Sequence, residues 1–271
     1  MPLIDASELA ELLRADPTTV VVDVRWSLSA GALGEEYARG HIDGAVFLDL
    51  DRDLCGVAGP DGRHPLPEPG QLTAVLRRSG IDDDSVVVVY DGGDMMAAAR
   101  TWWTLRWAGL GDVRVLDGGV VAWNDAQLPV TSVIPEPTPG AVTVRPGHLP
   151  VLDADGAAER ARVGALLDVR APERFRGEDE PIDPVAGHIP GAKNLFGGAN
   201  VASKGGFVSR EELAAQFADC GDDTAVYCGS GVTAARTALA MAAAGRAVPP
   251  VYIGSWSNWC ALDRPADAGG A

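Results

Sequence analysis

The sequence predicts an α/β fold written twice: two tandem domains of one design, each a mostly parallel sheet flanked by helices on both faces. Three observations predict it. Four motifs occur twice in the same order. Within each copy, short apolar runs rich in β-branched residues alternate with helix-like segments, as in a parallel sheet covered on both faces. A proline-dense stretch separates the copies. The chain has 271 residues, 46% of them hydrophobic, which is enough for two cores.

The motif pairs are VVVDVRW (20–26) with ALLDVRA (165–171), and GHIDGAV (40–46) with GHIPGAK (187–193). They continue with VVVVYDGGDMMAAART (86–101) against TAVYCGSGVTAART (224–237), and VLDGGVVAW (115–123) against VYIGSWSNW (251–259). A unit this long is a duplicated domain rather than a solenoid repeat.

In the first copy, residues 1–130, helices are expected at 6–14 (Ser7 as N-cap), 72–79 and 97–110. Strands are expected at 20–24, 86–90 and 113–116. Residues 131–150, TSVIPEPTPGAVTVRPGHLP, hold five prolines. That density forbids a helix and favours extended chain, so this stretch reads as the linker. In the second copy, residues 151–271, strands are expected at 165–169, 225–227 and 251–252. Helices are expected at 210–217 and 233–244. Ser209 followed by Glu212 is a capping box for the first of these.

The net charge of −16 repels nucleic acid and anionic membranes, so neither is an expected partner. An anionic substrate needs a local positive site. MPLIDASELAELLRADP has neither a basic n-region nor an apolar h-region, so it does not read as a signal peptide. No apolar run reaches the roughly 18 residues of a membrane span. Cys55, Cys220, Cys228 and Cys260 form no C-x-x-C pair and are too few for a disulfide scaffold. The expectation is a cytoplasmic protein with no metal or organic cofactor.

Cys228 follows the apolar run TAVY and precedes Gly229-Ser230-Gly231 and a helix-like segment. Ligand sites of open α/β sheets lie beyond strand carboxyl ends. Glycines at 229 and 231 allow a tight loop whose N–H groups point inward, and a helix N-terminus adds partial positive charge. Both favour a thiolate or persulfide anion on Cys228. Ser230 and Thr233 can add hydroxyl donors. The competing reading is a small, buried, inert cysteine before an ordinary turn. The repeat supplies a comparison, because the first copy has Asp91 where the second has Cys228. A carboxylate cannot do thiolate chemistry, so only the second copy is catalytic by this route. His41 and His188 occupy equivalent places in both copies, as do Arg25 and Arg170, which argues for structural roles.

CGSGVTAAR (228–236), DVR (168–170), GHIPGA (187–192) and GSWSNW (254–259) together resemble the tandem-domain rhodanese sulfurtransferases. DVRW, GHIDGA, VYDGGD and VLDGGVVAW resemble that family's inactive first half. The resemblance covers nearly the whole chain and implies two rhodanese-like domains, the second catalytic. It implies a persulfide on Cys228, a small-molecule sulfur donor, and cyanide or a thiol, including a reducing thiol protein, as acceptor. CGSGVT looks like the loop of 3-mercaptopyruvate sulfurtransferases; thiosulfate-preferring members carry basic residues there. The donor-binding loop positions are then Gly229, Ser230, Gly231, Val232 and Thr233, with Ser230 bonding the cysteine or the donor. By the same resemblance His64 and Asp51 form a proton relay with Cys228, and Arg174 binds the donor's carboxylate.

Three features depart from the family, one of them in the first copy, where the loop DGGDMMAAAR (91–100) lacks the aromatic often found over the pocket and has Met95 and Met96 instead. The segment GEDEPIDPVAG (177–187), where mercaptopyruvate enzymes carry a second arginine, has no basic residue, and Ile182 stands near the expected place. Asn258 stands where a glutamate is usual. The donor is therefore either 3-mercaptopyruvate or thiosulfate. A phosphatase of the C-x5-R type is excluded by spacing: the sixth residue after Cys228 is Ala234, and the arginine is Arg236. A non-catalytic persulfide carrier or binding module is the other class of reading.

Overall fold

Apolar β-branched runs pair into two parallel sheets in the computed structural model, which describes residues 1–270. The first contains β1 (Leu3–Ile4), β2 (Val20–Asp23), β3 (Val46–Phe47), β4 (Val86–Tyr90) and β5 (Asp112–Leu116), in the spatial order β1-β5-β4-β2-β3. The second contains β6 (Val151–Leu152), β7 (Leu166–Asp168), β8 (Lys193–Asn194), β9 (Ala225–Tyr227) and β10 (Val251–Tyr252), in the order β6-β10-β9-β7-β8. The two orders are the same. Every pairing within these sheets is parallel, and helices cover both faces.

In the first sheet the connecting helices include α1 (Ala6–Ala15), α2 (Pro69–Arg78), α3 (Met96–Trp107) and α4 (Gly119–Asp125). In the second they are α5 (Ala154–Arg162), α6 (Pro172–Arg176), α7 (Arg210–Gln216), α8 (Val232–Ala243) and α9 (Ser255–Ala261). The Ser209–Glu212 capping box is present. The cap of α1 is Asp5 rather than Ser7. Its carboxylate accepts from Glu8 N at 2.8 Å, and Glu8 returns the bond to Asp5 N at 3.1 Å. Asp5 is the residue three positions before a glutamate, so it completes a box that Ser7 cannot.

Each sheet has its own core. Leu9, Val21, Val88, Tyr90, Leu116 and Trp123 pack in one, and Phe175, Ile189, Tyr227, Tyr252, Trp256 and Trp259 in the other. The duplication reaches individual hydrogen bonds. Ile42 N donates to Tyr90 Oη at 3.2 Å, and Ile189 N to Tyr227 Oη at 3.1 Å.

The chain divides into two compact units, neither continuous in sequence. The first contains Met1–Gly56, Pro67–His148 and Val201–Phe207; the second contains Val57–Leu66, Leu149–Asn200 and the chain from Val208 on. Each half thus lends the other unit one segment, from the equivalent place after its edge strand β3 or β8. In the second unit, Asn258 Nδ2 donates to Pro60 O at 2.7 Å and Arg63 N to Ser257 Oγ at 3.1 Å. In the first, Phe207 N donates to Asp117 Oδ1 at 2.8 Å and Gly206 N to Gly93 O at 3.0 Å. The proline-rich stretch contains no helix, and up to His148 it belongs to the first unit. There Ala141 N and Thr143 N donate to Asp82 and Asp83 at 2.6 and 2.8 Å, and Val142 is buried.

Candidate active site

β9 is the middle strand of its sheet, and Cys228 is the first residue beyond its carboxyl end, with its side chain buried. The loop turns within three residues because Gly231 adopts φ 82°, a left-handed conformation that favours glycine. Gly231 then caps α8, and its N–H donates to Cys228 Sγ at 3.2 Å. Trp256 N and Ser257 N donate to the carbonyls of Cys228 and Gly229 at 3.0 and 2.9 Å, which ties the loop to α9.

Ser255, at the start of α9, is a residue that the sequence analysis passed over. Its Oγ accepts from Cys228 N at 3.1 Å, donates to Tyr252 O at 2.8 Å and lies 4.0 Å from Cys228 Sγ. Its φ is 54°, an unfavourable conformation for a side-chain-bearing residue. The counterpart in the first copy is Gly119, with φ 57°, where a Cβ would lie 2.4 Å from Asp91 O. A serine in a slot suited to glycine is the sequence signal that something holds it there.

The loop residues Cys228, Gly229, Ser230, Gly231, Val232 and Thr233, together with Arg174 and His64, are all in the second unit. His64 arrives on the Val57–Leu66 segment, is buried, and sets its Nδ1 2.8 Å from Ser230 Oγ. The Ser230 hydroxyl, expected to bond the cysteine or the donor, is in contact with the imidazole. Asp51 lies in the first unit, where its carboxylate accepts from Trp26 Nε1 at 2.8 Å.

Arg63, also missed, precedes His64 and enters with it. Arg63 Nη1 pairs with Asp183 Oδ1. Arg174 Nη2 donates to Asp183 Oδ2 at 3.1 Å and to Glu180 Oε1 at 2.7 Å. Arg170 Nη1 reaches the other oxygen of Glu180 at 3.1 Å, and Arg170 Nη2 is 2.6 Å from Asp168. The result is a ladder of alternating charge, Asp168–Arg170–Glu180–Arg174–Asp183–Arg63. It ends beside the cysteine loop: a Cβ on Gly229 would lie 2.9 Å from Arg63 Nη2 and 3.5 Å from Arg174 Nη1. Residues 177–187 hold no basic side chain, and the second guanidinium beside the loop belongs to Arg63. Ile182 is exposed, and its neighbour Asp183 is engaged with both arginines. Burial pushes the Glu180 carboxyl up, but the bonds from Arg174 and from the Asp183 and Ile182 amides outweigh it and leave it below the usual range.

The first copy is the internal control. Asp23–Arg25 and Asp168–Arg170 make the same forked pair, and each arginine also bonds a carbonyl, Gly40 O or Gly187 O. His41 and His188 donate through Nδ1 to the carbonyls of Tyr37 and Phe175 at 2.8 and 2.7 Å and stack on those rings. These duplicated residues are structural. Arg170 differs from Arg25 in its further bond to Glu180. Where Cys228 sits in the second unit, the fully buried Asp91 accepts from Gly93 N, Met95 N and Ala98 N at 2.8, 3.3 and 3.0 Å. The loop still gathers donors around an anion, and that anion is its own carboxylate.

Burial pushes the thiols of Cys55 and Cys220 up and that of Cys260 up to about 11. Among the described residues no group of three or more His, Cys, Asp or Glu side chains is placed to share a metal ion. No helix among them is long and apolar enough to cross a membrane.

The family model of the Rhodanese-like domain matches the chain twice, over residues 5–126 and 152–262. A Pseudomonas aeruginosa protein whose name refers to 3-mercaptopyruvate sulfurtransferase is 43% identical over 95% of this chain and 94% of its own. A Mycobacterium tuberculosis protein, SseB, whose name refers to thiosulfate sulfurtransferase, is 42% identical over 99% and 98%. The crystal structure of SseA from Escherichia coli, a 3-mercaptopyruvate sulfurtransferase, superposes with a TM-score of 0.82 at 30% identity, covering 95% of this chain and 99% of that one.

Proposed function

This chain belongs to the rhodanese family of tandem-domain sulfurtransferases, and on that premise we propose that it moves sulfur from 3-mercaptopyruvate, through a Cys228 persulfide, to a thiophilic acceptor. The acceptor is cyanide or a thiol, including that of a reducing thiol protein, and the compartment is the cytoplasm. The observation that carries the reading is the placement of Cys228 against the α8 N-terminus, with two guanidinium groups beside the adjoining Gly229.

The chemistry follows from the atoms. The Cys228 thiolate attacks the donor sulfur. The C–S bond breaks, and its electron pair stays on carbon as the enolate of pyruvate, which takes a proton. The sulfur remains on Cys228 as a persulfide. Cyanide or a thiolate then attacks the outer sulfur, and the S–S electron pair returns to Cys228. Gly231 N–H favours the anionic sulfur at both stages. His64, bonded to Ser230, moves the protons. Arg174 and Arg63 hold the donor's anionic head; forked guanidinium donors match a carboxylate. The absence of a basic side chain at Gly229 and Ser230 supports 3-mercaptopyruvate.

Thiosulfate is the second reading, favoured by the two cations beside the loop and by the name of the M. tuberculosis relative. Side-by-side kcat/KM for both donors with cyanide as acceptor decides between them. We expect the higher value for 3-mercaptopyruvate, and no turnover from Cys228→Ser with either donor. Substantial turnover by Cys228→Ser sinks the assignment.

A further inference from the structure

Arg63 and Arg174 do not meet the donor as two free cations. The Asp183 carboxylate lies between them, one oxygen bonded to each. The side chains of Asp183 and Glu180 are 2% and 3% exposed, whereas those of Arg174 and Arg63 are 17% and 27% exposed. The carboxylates lie behind and the guanidinium groups in front. On each guanidinium, one Nη holds Asp183 and the other has no hydrogen-bond partner among the described residues: Arg63 Nη2, 2.9 Å from where a Cβ on Gly229 would lie, and Arg174 Nη1, 3.5 Å from it and beside Arg174 Nη2 at 3.6 Å. Arg63 Nε is likewise buried without a partner. Arg63 Nη2 and Arg174 Nη1 thus lie beside Gly229, the residue after Cys228. The ladder from Asp168 to Arg63 contains three guanidinium groups and three carboxylates, so it carries no net charge.

We infer that Asp183 is a specificity-determining residue, which sets the charge of the sulfur donor by bridging Arg63 and Arg174. It aims both guanidinium groups at the donor while cancelling the excess positive charge that their pairing would create. A neutral ladder with outward-facing donors suits a donor bearing one negative charge on a planar head, such as the carboxylate of a mercapto acid. A dianion such as thiosulfate gains the same hydrogen bonds but faces two buried carboxylates that repel it twice as strongly. The sequence does not reveal this, because 177–187 reads only as a segment that lost its arginine. This inference rests on the sulfur-transfer reading above.

The test is Asp183→Asn, assayed with 3-mercaptopyruvate and with thiosulfate, cyanide as acceptor in both. Removing one negative charge favours the dianion over the monoanion, so the thiosulfate/3-mercaptopyruvate ratio of kcat/KM should rise by about tenfold or more. The change should appear mainly in KM and shrink at high salt. Asp183→Glu keeps the charge and should hold the ratio within about threefold of wild type. If Asp183→Asn does not fold, Glu180→Gln, which lowers the same ladder by one negative charge, should shift the ratio the same way. Parallel loss with both donors overturns the inference, because a purely structural residue would produce that pattern. Wild-type protein inactive with both donors defeats the sulfur-transfer reading instead.

Discussion

His64 Nδ1 lies 2.8 Å from Ser230 Oγ, an approach that joins residues 166 positions apart in the chain. The imidazole therefore reaches the cysteine loop through a hydroxyl two residues after the sulfur. If this pair moves protons, its value depends on the leaving group. The enolate released from 3-mercaptopyruvate must be protonated, whereas sulfite released from thiosulfate need not be. His64→Ala should lower kcat with 3-mercaptopyruvate by about a hundredfold or more and affect thiosulfate far less. Steady-state kinetics with the two donors check this, and equal losses would remove His64 from proton transfer.

Arg63 and Arg174 share Asp183, so their effects on the donor should be coupled. Each single alanine variant should raise KM for 3-mercaptopyruvate by about 10- to 100-fold, the scale of a hydrogen bond to a charged group. The double variant should fall short of the product, because the first loss already disorders the second guanidinium. A double-mutant cycle measures the coupling. Unchanged kcat/KM in Arg63→Ala would show that residue 63 does not supply the missing cation.

Ser255 holds a left-handed backbone in exchange for a bond to Cys228 N–H. Ser255→Gly relieves the strain but frees the N–H, two effects of about 1 to 2 kcal/mol each that should nearly cancel in stability. Ser255→Ala keeps the strain and loses the bond, so it should cost about 1 to 3 kcal/mol. Urea unfolding of both variants separates the terms. Equal stability of the two would mean that the backbone there is not strained.

Asp91 gives the first unit a pH signature. Burial and the neighbouring Asp94 push its carboxyl up to about 6, against the three backbone N–H groups that pull it down. With the folded value above the unfolded one, the folded chain holds the proton more tightly. The stabilisation is full below about pH 4 and is lost as pH rises through about 6. Its size is up to about 3 kcal/mol. Stability measured from pH 4 to 7 should therefore fall more steeply in wild type than in Asp91→Asn, which cannot ionise. Identical slopes would mean that Asp91 titrates normally.

The duplication made the parallel sheets legible. Runs such as VVVVY and AVY, followed by helices, required no tertiary knowledge. The two-residue edge strands Leu3–Ile4, Val46–Phe47, Val151–Leu152 and Lys193–Asn194 were not legible, because they pair on one side only and are too short to carry a continuous apolar run. The structural roles of His41, His188 and Arg170 followed from seeing each twice. Arg63 and Asp183 escaped for the opposite reason, since neither has a counterpart in the other copy. Their pairing spans 120 positions and exists only because Val57–Leu66 joins the second unit. Ser255 was hidden differently: its role lies in a backbone angle, which a motif records only as a serine opposite a glycine.

The exchanged segments bear on how a duplicated gene diverges. Once two copies trade arms, a defect in one copy's reactive centre does not make that copy dispensable. The first half has Asp91 in place of Cys228, yet the segment bearing Arg63 and His64 is encoded there. Deleting it would remove two groups from the surroundings of Cys228. The half whose loop has Asp91 in place of a cysteine thus supplies the other through what it hands over, and a gene encoding only the second half would yield a cysteine loop without its histidine.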